Sequence, residues 1–283
     1  MSAEAILLDA SVRTSIGGQS VSDSLIGSPV RFQLEASVFN AFGTSDAQVA
    51  VAPGTIGVRT SMEVKVLPPG ILLPTESFGA VTIDDLVFSS SQNEMIPVRM
   101  WLLLEGHLQL AATQSRFTSS TQVDGGFTIK RAFGSTFTQQ AGGIKVSSEN
   151  QGTLRALGLF SDLSFEGTFN PAADLTFDSL VLSTTFLVPT NESLQLTMHF
   201  SSNAARPADI GTAAADFLTT FGFPRGSPVF VVPNGVTVNA PSAFLFDNTF
   251  LPPNAVVEVP EANTSLLVLC SIGSIIARRK RPA

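Results

Sequence analysis

The chain has one cysteine, Cys270, and it lies in an apolar stretch near the carboxyl end. Internal disulfides and multi-cysteine metal sites are thereby excluded from everything upstream. Tyrosine is absent, tryptophan occurs once as Trp101, and there are two histidines, His107 and His199. A zinc site would have to borrow carboxylates from distant strands. The flat aromatic platforms of dedicated sugar-binding faces shrink to one indole, because the 22 phenylalanines fall mostly at core-facing positions.

Charge is also scarce. Asp, Glu, Lys and Arg make up 14% of the chain, against roughly 25% in an average soluble protein. The net charge of −7 conceals an asymmetry, since four of the 16 bases stand in the last six residues. Residues 1–260 hold 22 acids against 12 bases, a net −10. Such a body repels phosphate backbones and anionic membrane surfaces, so a nucleic-acid role is excluded.

Catalytic signatures are missing as well. There is no G-x-S-x-G nucleophile turn, and neither Gly17-Gly18 nor Gly125-Gly126 has the strand, spacing and helix of a phosphate-binding loop. Asp84-Asp85 are strand neighbours expected to point to opposite faces. Asp162 and Glu166 would stand about 13 Å apart on a strand, so both acid pairs read as solvated surface. A structural calcium is the one cofactor the acids bring into consideration, but no D-x-[DN]-x-[DN]-G run is present, and none is assigned.

What is present is alternation. The 283 residues are 44% hydrophobic, enough for one large β domain or two smaller ones. In "TIGVRTSMEVKVL", Ile56, Val58, Met62, Val64 and Val66 share one parity, while Arg59, Ser61, Glu63 and Lys65 take the other. The same period of two runs through "VRFQLEASVF", "GAVTIDDLVFS", "GFTIKRAFGSTFT", "DLTFDSLVLSTTFLV" and "SLQLTMHFS". Expected turns separate them at Leu67–Gly70, Asp124-Gly125-Gly126, Gly142-Gly143, Asn170-Pro171 and Asn234-Gly235. "DIGTAAADFLTTFGF" reads as strand or loop, because Thr and Phe lower its helix propensity and Pro224 follows. Both histidines fall on polar strand faces, and Trp101 shares parity with Arg99, Leu103 and Glu105. The expected fold is all-β, an antiparallel β-sandwich or jelly roll over residues 1–248. A boundary between Gly143 and Gln151 is the alternative to one large sandwich.

The remaining residues change character. Residues 249–265 carry three prolines and suit an extended tether. Leu266–Ala277, "LLVLCSIGSIIA", is an apolar run that reaches fourteen residues with Thr264 and Ser265. As a helix it spans about 21 Å, against a hydrocarbon layer of about 30 Å. Arg278, Arg279, Lys280 and Arg281 follow, and the positive-inside rule would hold them in the cytoplasm. The order Val259-Pro260-Glu261, short apolar helix, basic end resembles the PEP-CTERM sorting signal of Gram-negative bacteria that make extracellular polysaccharide. Ala262 stands where that motif has its second proline. "AAADFLTTFGF" and "VVPNGVTVNA" are similar to the β-rich ectodomains common in that family.

The resemblance implies presentation of Val259, Pro260 and Glu261 to exosortase just outside the inner membrane. Leu266–Ala277 would serve as the stop-transfer helix and the four bases as its cytoplasmic lock. The expectation is a non-enzymatic structural protein of the cell surface or extracellular matrix, with exosortase and exopolysaccharide as partners and a transient inner-membrane intermediate. A carbohydrate-binding or adhesin module is the alternative reading, and a jelly-roll polysaccharide hydrolase a further one. The segment "MSAEAILLDASVRTS" has no basic n-region, and Ala5–Leu8 is shorter than a signal-peptide apolar region. The expectation there is that the numbering begins near a mature end or downstream of the true start.

Overall fold

The computed structural model describes residues 6–252 except 17–18, 28–30, 67–73, 112–118, 133, 149–152, 170–171 and 207–209. Contacts gather Met1–Pro252 into one compact unit and set Pro253–Ala283 apart as another, which lies outside the described residues. The expected tail helix at 266–277 falls there. Among the described residues no helix is long and apolar enough to cross a membrane.

The fold is an antiparallel β-sandwich. One sheet is built from β1 (Ile6–Ile16), β2 (Gln19–Gly27), β6 (Thr75–Ser89), β8 (Ser120–Arg131), β9 (Thr136–Ser147), β10 (Thr153–Gly158) and β14 (Ser193–Ala205). Their spatial order is β10-β9-β8-β14-β6-β1-β2, and β17 (Thr237–Asn239) pairs with the end of β6. The second sheet holds β3 (Phe32–Asn40), β4 (Gly43–Ala52), β5 (Thr55–Val64), β7 (Met95–Leu110), β11 (Glu166–Phe169), β12 (Ala173–Leu182) and β15 (Gly211–Gly222). Its order is β11-β12-β7-β15-β5-β4-β3. The first half of β7 pairs instead with β13 (Phe186–Pro189) and β16 (Phe230–Val231). A small hairpin, β18 (Leu245–Phe246) and β19 (Thr249–Phe250), closes the body. Both sheets draw strands from either side of residues 143–151, so no domain boundary falls there.

Period-two patterning explains which face is buried. On β14, Leu194, Leu196, Met198 and Phe200 face inward, while Gln195, Thr197, His199 and Ser201 face out. β5 obeys the same rule from Ile56 to Val64, but Val66 lies past its end and is exposed. "DIGTAAADFLTTFGF" is a strand, β15, with an irregularity between Phe217 and Phe221 where it passes Gly57 and Gly106.

The two ends of the interior differ. Towards the start of β6, hydroxyls join the layers: Thr14 bonds Ser45 at 2.5 Å, Ser45 bonds Thr75, and Thr121 Oγ1 donates to the Ala214 carbonyl at 2.9 Å, while Ser77 bonds Ser202 at 2.8 Å within one sheet. The buried Arg206 guanidinium there donates to the carbonyls of Ile210 and Thr212 at 2.6 and 2.8 Å. Elsewhere phenylalanines fill the space. Phe200 stacks on Phe221 with centroids 4.6 Å apart and meets Phe217 edge-on at 5.7 Å.

Two expected turns are not turns. Gly125-Gly126 lie inside β8 and Gly142-Gly143 inside β9, and Gly125 faces Gly142 directly. These glycines provide close approach rather than a change of direction. A Cβ on Gly125 would stand 2.6 Å from the Phe200 ring, and one on Gly142 would stand 2.5 Å from the Leu157 carbonyl oxygen. "GFTIKRAFGSTFT" is not one strand: β8 ends at Arg131 and β9 begins at Thr136. "DLTFDSLVLSTTFLV" likewise breaks into β12 and β13, and Ser183 Oγ at the break accepts the Met100 N–H at 2.7 Å. Asn234-Gly235 is a turn as expected, with Gly235 at φ +84°.

Candidate functional site

The residues expected to form a sorting signal, Val259, Pro260, Glu261, Arg278, Arg279, Lys280 and Arg281, all lie outside the described residues. Several polar groups of the described body serve the fold.

Asp84 and Asp85 do not alternate as the sequence suggests. Leu194 pairs with Leu86 and Leu196 with Ile83, so both aspartates oppose the single residue Gln195 in a β-bulge. Asp84 accepts from Gln195 Nε2 at 2.6 Å. Asp85 accepts the backbone N–H and the hydroxyl of Ser242 at 2.8 and 2.7 Å, clamping the 3-10 turn Pro241–Ala243 onto β6. Asp162 sits in the turn after β10 and Glu166 opens β11, where it pairs in register with Thr176.

His107 lies on the outer face of β7, and its Nε2 is hydrogen-bonded to the Asp174 carboxylate on β12. His199 lies on the outer face of the other sheet, near Asp124. Burial pushes the His199 imidazole below its ordinary value, and the Asp124 charge only partly restores it. Burial also raises the Asp124 carboxyl, opposed by the hydrogen bond from Gln122 and by the charges of His199 and Lys145. Among the described residues no group of three or more His, Cys, Asp or Glu side chains is placed to hold a metal ion.

The outer face of the second sheet is different. Along β7, Trp101, Leu103 and Glu105 project on the same side, a row about 13 Å long. On β12 their cross-strand partners are Leu182, Leu180 and Asp178. The segment from Pro224 to Val232 rises beside this strip as a wall. Two adjoining hollows result, of about 380 Å³ over Trp101, Leu180, Phe230 and Val231, and about 480 Å³ over Leu103, Glu105, Asp178 and Arg225. Both include Leu180, Pro224 and Ser227, so they form one groove.

The wall is held in place before any ligand arrives. Trp101 N–H donates to the Val229 carbonyl at 2.8 Å. Asn248, at φ +64°, donates through Nδ2 to the Phe230 carbonyl at 2.7 Å and accepts the Phe230 N–H at 2.8 Å. Its own carbonyl accepts the Val229 N–H at 2.9 Å. Asparagine tolerates this left-handed backbone, and its amide imitates a strand partner.

The groove combines exposed apolar area with acidic residues. Leu180 and Val231 are 53% and 44% exposed, and exposed apolar area gathered in one place marks interaction surfaces. Glu105 and Asp178 are direct cross-strand partners, a like-charge arrangement that destabilises a sheet. Sequence reasoning missed this pair because 73 positions separate its members. The available signal was the shared parity of Trp101, Leu103 and Glu105. In comparisons with known proteins, no family model, no curated protein and no solved structure matches this chain.

Proposed function

We propose that the chain is an exported, non-enzymatic structural protein of the cell surface or extracellular matrix, delivered by a PEP-CTERM-like carboxy-terminal signal. The observation that carries this reading is the order of parts after the compact body: Val259-Pro260-Glu261, then Leu266–Ala277, then Arg278–Arg281. A presented motif, an undersized span and a basic stop suit transient residence in the inner membrane followed by processing. Exosortase is the partner this arrangement calls for. The body adds support in that Asp84, Asp85 and the His107–Asp174 pair bond within the fold.

The test is fractionation of producing cells, with mass spectrometry of the mature carboxyl terminus. Intact chain should yield a surface or matrix form that ends near Glu261. A Glu261→Ala chain, or one lacking 259–283, should be retained or mislocalised. Equal arrival of these variants at the surface and matrix would overturn the reading.

A further inference from the structure

We propose that the groove over Trp101, Leu103 and Leu180, with Glu105, Asp178 and Arg225 at one end, is a binding site for a neutral hexose-based glycan chain. The inference goes beyond the sorting reading and stands without it.

Three observations select this ligand class. The apolar half of the floor is an indole beside leucine side chains, and it is partly exposed rather than packed over. A pyranose presents one face of C–H groups that covers such a strip, leaving its hydroxyls at the rim. The other half supplies the complementary polar groups: two carboxylates to accept hydroxyl hydrogen bonds and one guanidinium to donate. The row from Trp101 to Glu105 is long enough for more than one sugar ring, which suits a chain.

Competing ligands fit less well. An extended peptide adding in the plane of the sheet to the edge of β12 beyond Thr176 would run beside the Trp101–Glu105 row rather than over it, and β7 itself is paired on both sides along the floor, with β12 on one flank and β16 or β15 on the other. An anionic polysaccharide would meet Glu105, Asp178 and a body of net charge −10. The pre-formed wall, fixed by Asn248 and stiffened by Pro224 and Pro228, lowers the ordering cost of binding.

The chain carries its own reporter, since Trp101 is the one tryptophan and tyrosine is absent. The full chain is titrated with cello-, manno- and galacto-oligosaccharides while tryptophan emission is followed. Affinity electrophoresis through gels containing a soluble neutral β-glucan or alginate gives a second readout. At least one neutral series should shift the emission with saturation, and the neutral gel should retard the protein more than alginate does. Trp101→Ala should weaken retardation by about tenfold or more, and Asp178→Asn, which keeps shape and removes charge, should weaken it measurably. Circular dichroism and thermal unfolding establish that both variants are folded.

The proposal is overturned by no emission change with any neutral series, by undiminished retardation of folded Trp101→Ala, or by preferential retardation by alginate. Release of reducing ends from the glucan would overturn it in favour of hydrolysis at the Glu105–Asp178 pair. Binding is read on purified protein and sorting in cells, so failure of one leaves the other intact.

Discussion

Gly125→Ala offers the sharpest test of how this sandwich packs. The added methyl would lie 2.6 Å from Phe200 Cδ2, 3.2 Å from Cε2 and 3.3 Å from Phe160 Cζ. Phe200 cannot swing aside, because its ring is stacked on Phe221 and met by Phe217. Overpacking of this kind costs about 1–3 kcal/mol, while replacing glycine returns about 0.4–1 kcal/mol by restricting the unfolded chain. The net expectation is a loss of about 1–2 kcal/mol. Phe200→Leu alone should also destabilise, by removing ring volume and two aromatic contacts worth about 0.5–1.5 kcal/mol each. Combined, the two changes should compensate, since the smaller side chain makes room for the methyl. A coupling of about 1–2 kcal/mol is expected, within the span known for contacting residues. Urea unfolding followed by far-ultraviolet circular dichroism measures it, with a Gly125→Ala midpoint shift of about 0.5 M for a slope near 3 kcal/mol/M. Additivity within about 0.3–0.5 kcal/mol would refute the packing argument.

Two further outcomes follow from the polar groups. Asp85→Ala removes both bonds to Ser242, each of a charge-assisted type worth about 1.5–3 kcal/mol. Hydrogen exchange of amides in 240–250 should accelerate by about tenfold or more while those of Met198 and Phe200 hold; uniform acceleration would show that the clamp is not local. Asp124 has a folded-state carboxyl raised above 3.8 chiefly by burial, so stability declines as pH rises from that value through the folded one, and the deficit is complete above it. Asp124→Asn should therefore gain thermal stability over the parent at pH 7 and lose that advantage near pH 3; an unchanged difference across that range would exclude burial as the cause.

The strands were legible because each has one buried face, which forces a period of two onto residues such as Leu194, Leu196, Met198 and Phe200. The glycine pairs misled because a turn and a close approach leave the same mark in a sequence. Gly125 is required by a ring 75 positions away, and local patterning carries no such information. Asp84 and Asp85 were misread for a related reason, since a bulge is defined by the partner strand and only the register with β14 reveals it. The groove was half visible. The parity of Trp101, Leu103 and Glu105 was readable, but the wall from Pro224 to Val232 and the opposing Asp178 arrive through tertiary pairing. A single tryptophan argued against a sugar-binding face when counted, and for one once placed.

The clamp between Asp85 and Ser242 also has a mechanical meaning. The compact body ends at Pro252, just beyond the β18–β19 hairpin, so a pull entering there loads Thr249–Phe250, then the 3-10 turn, then the short β17. These are small attachments, whereas β6 behind them is paired along most of its length with β1 and β14. Tension would peel off the last dozen or so residues and dissipate there before it reached the aromatic interior. Load applied at Pro252 would lengthen that segment first while the sandwich stays shut.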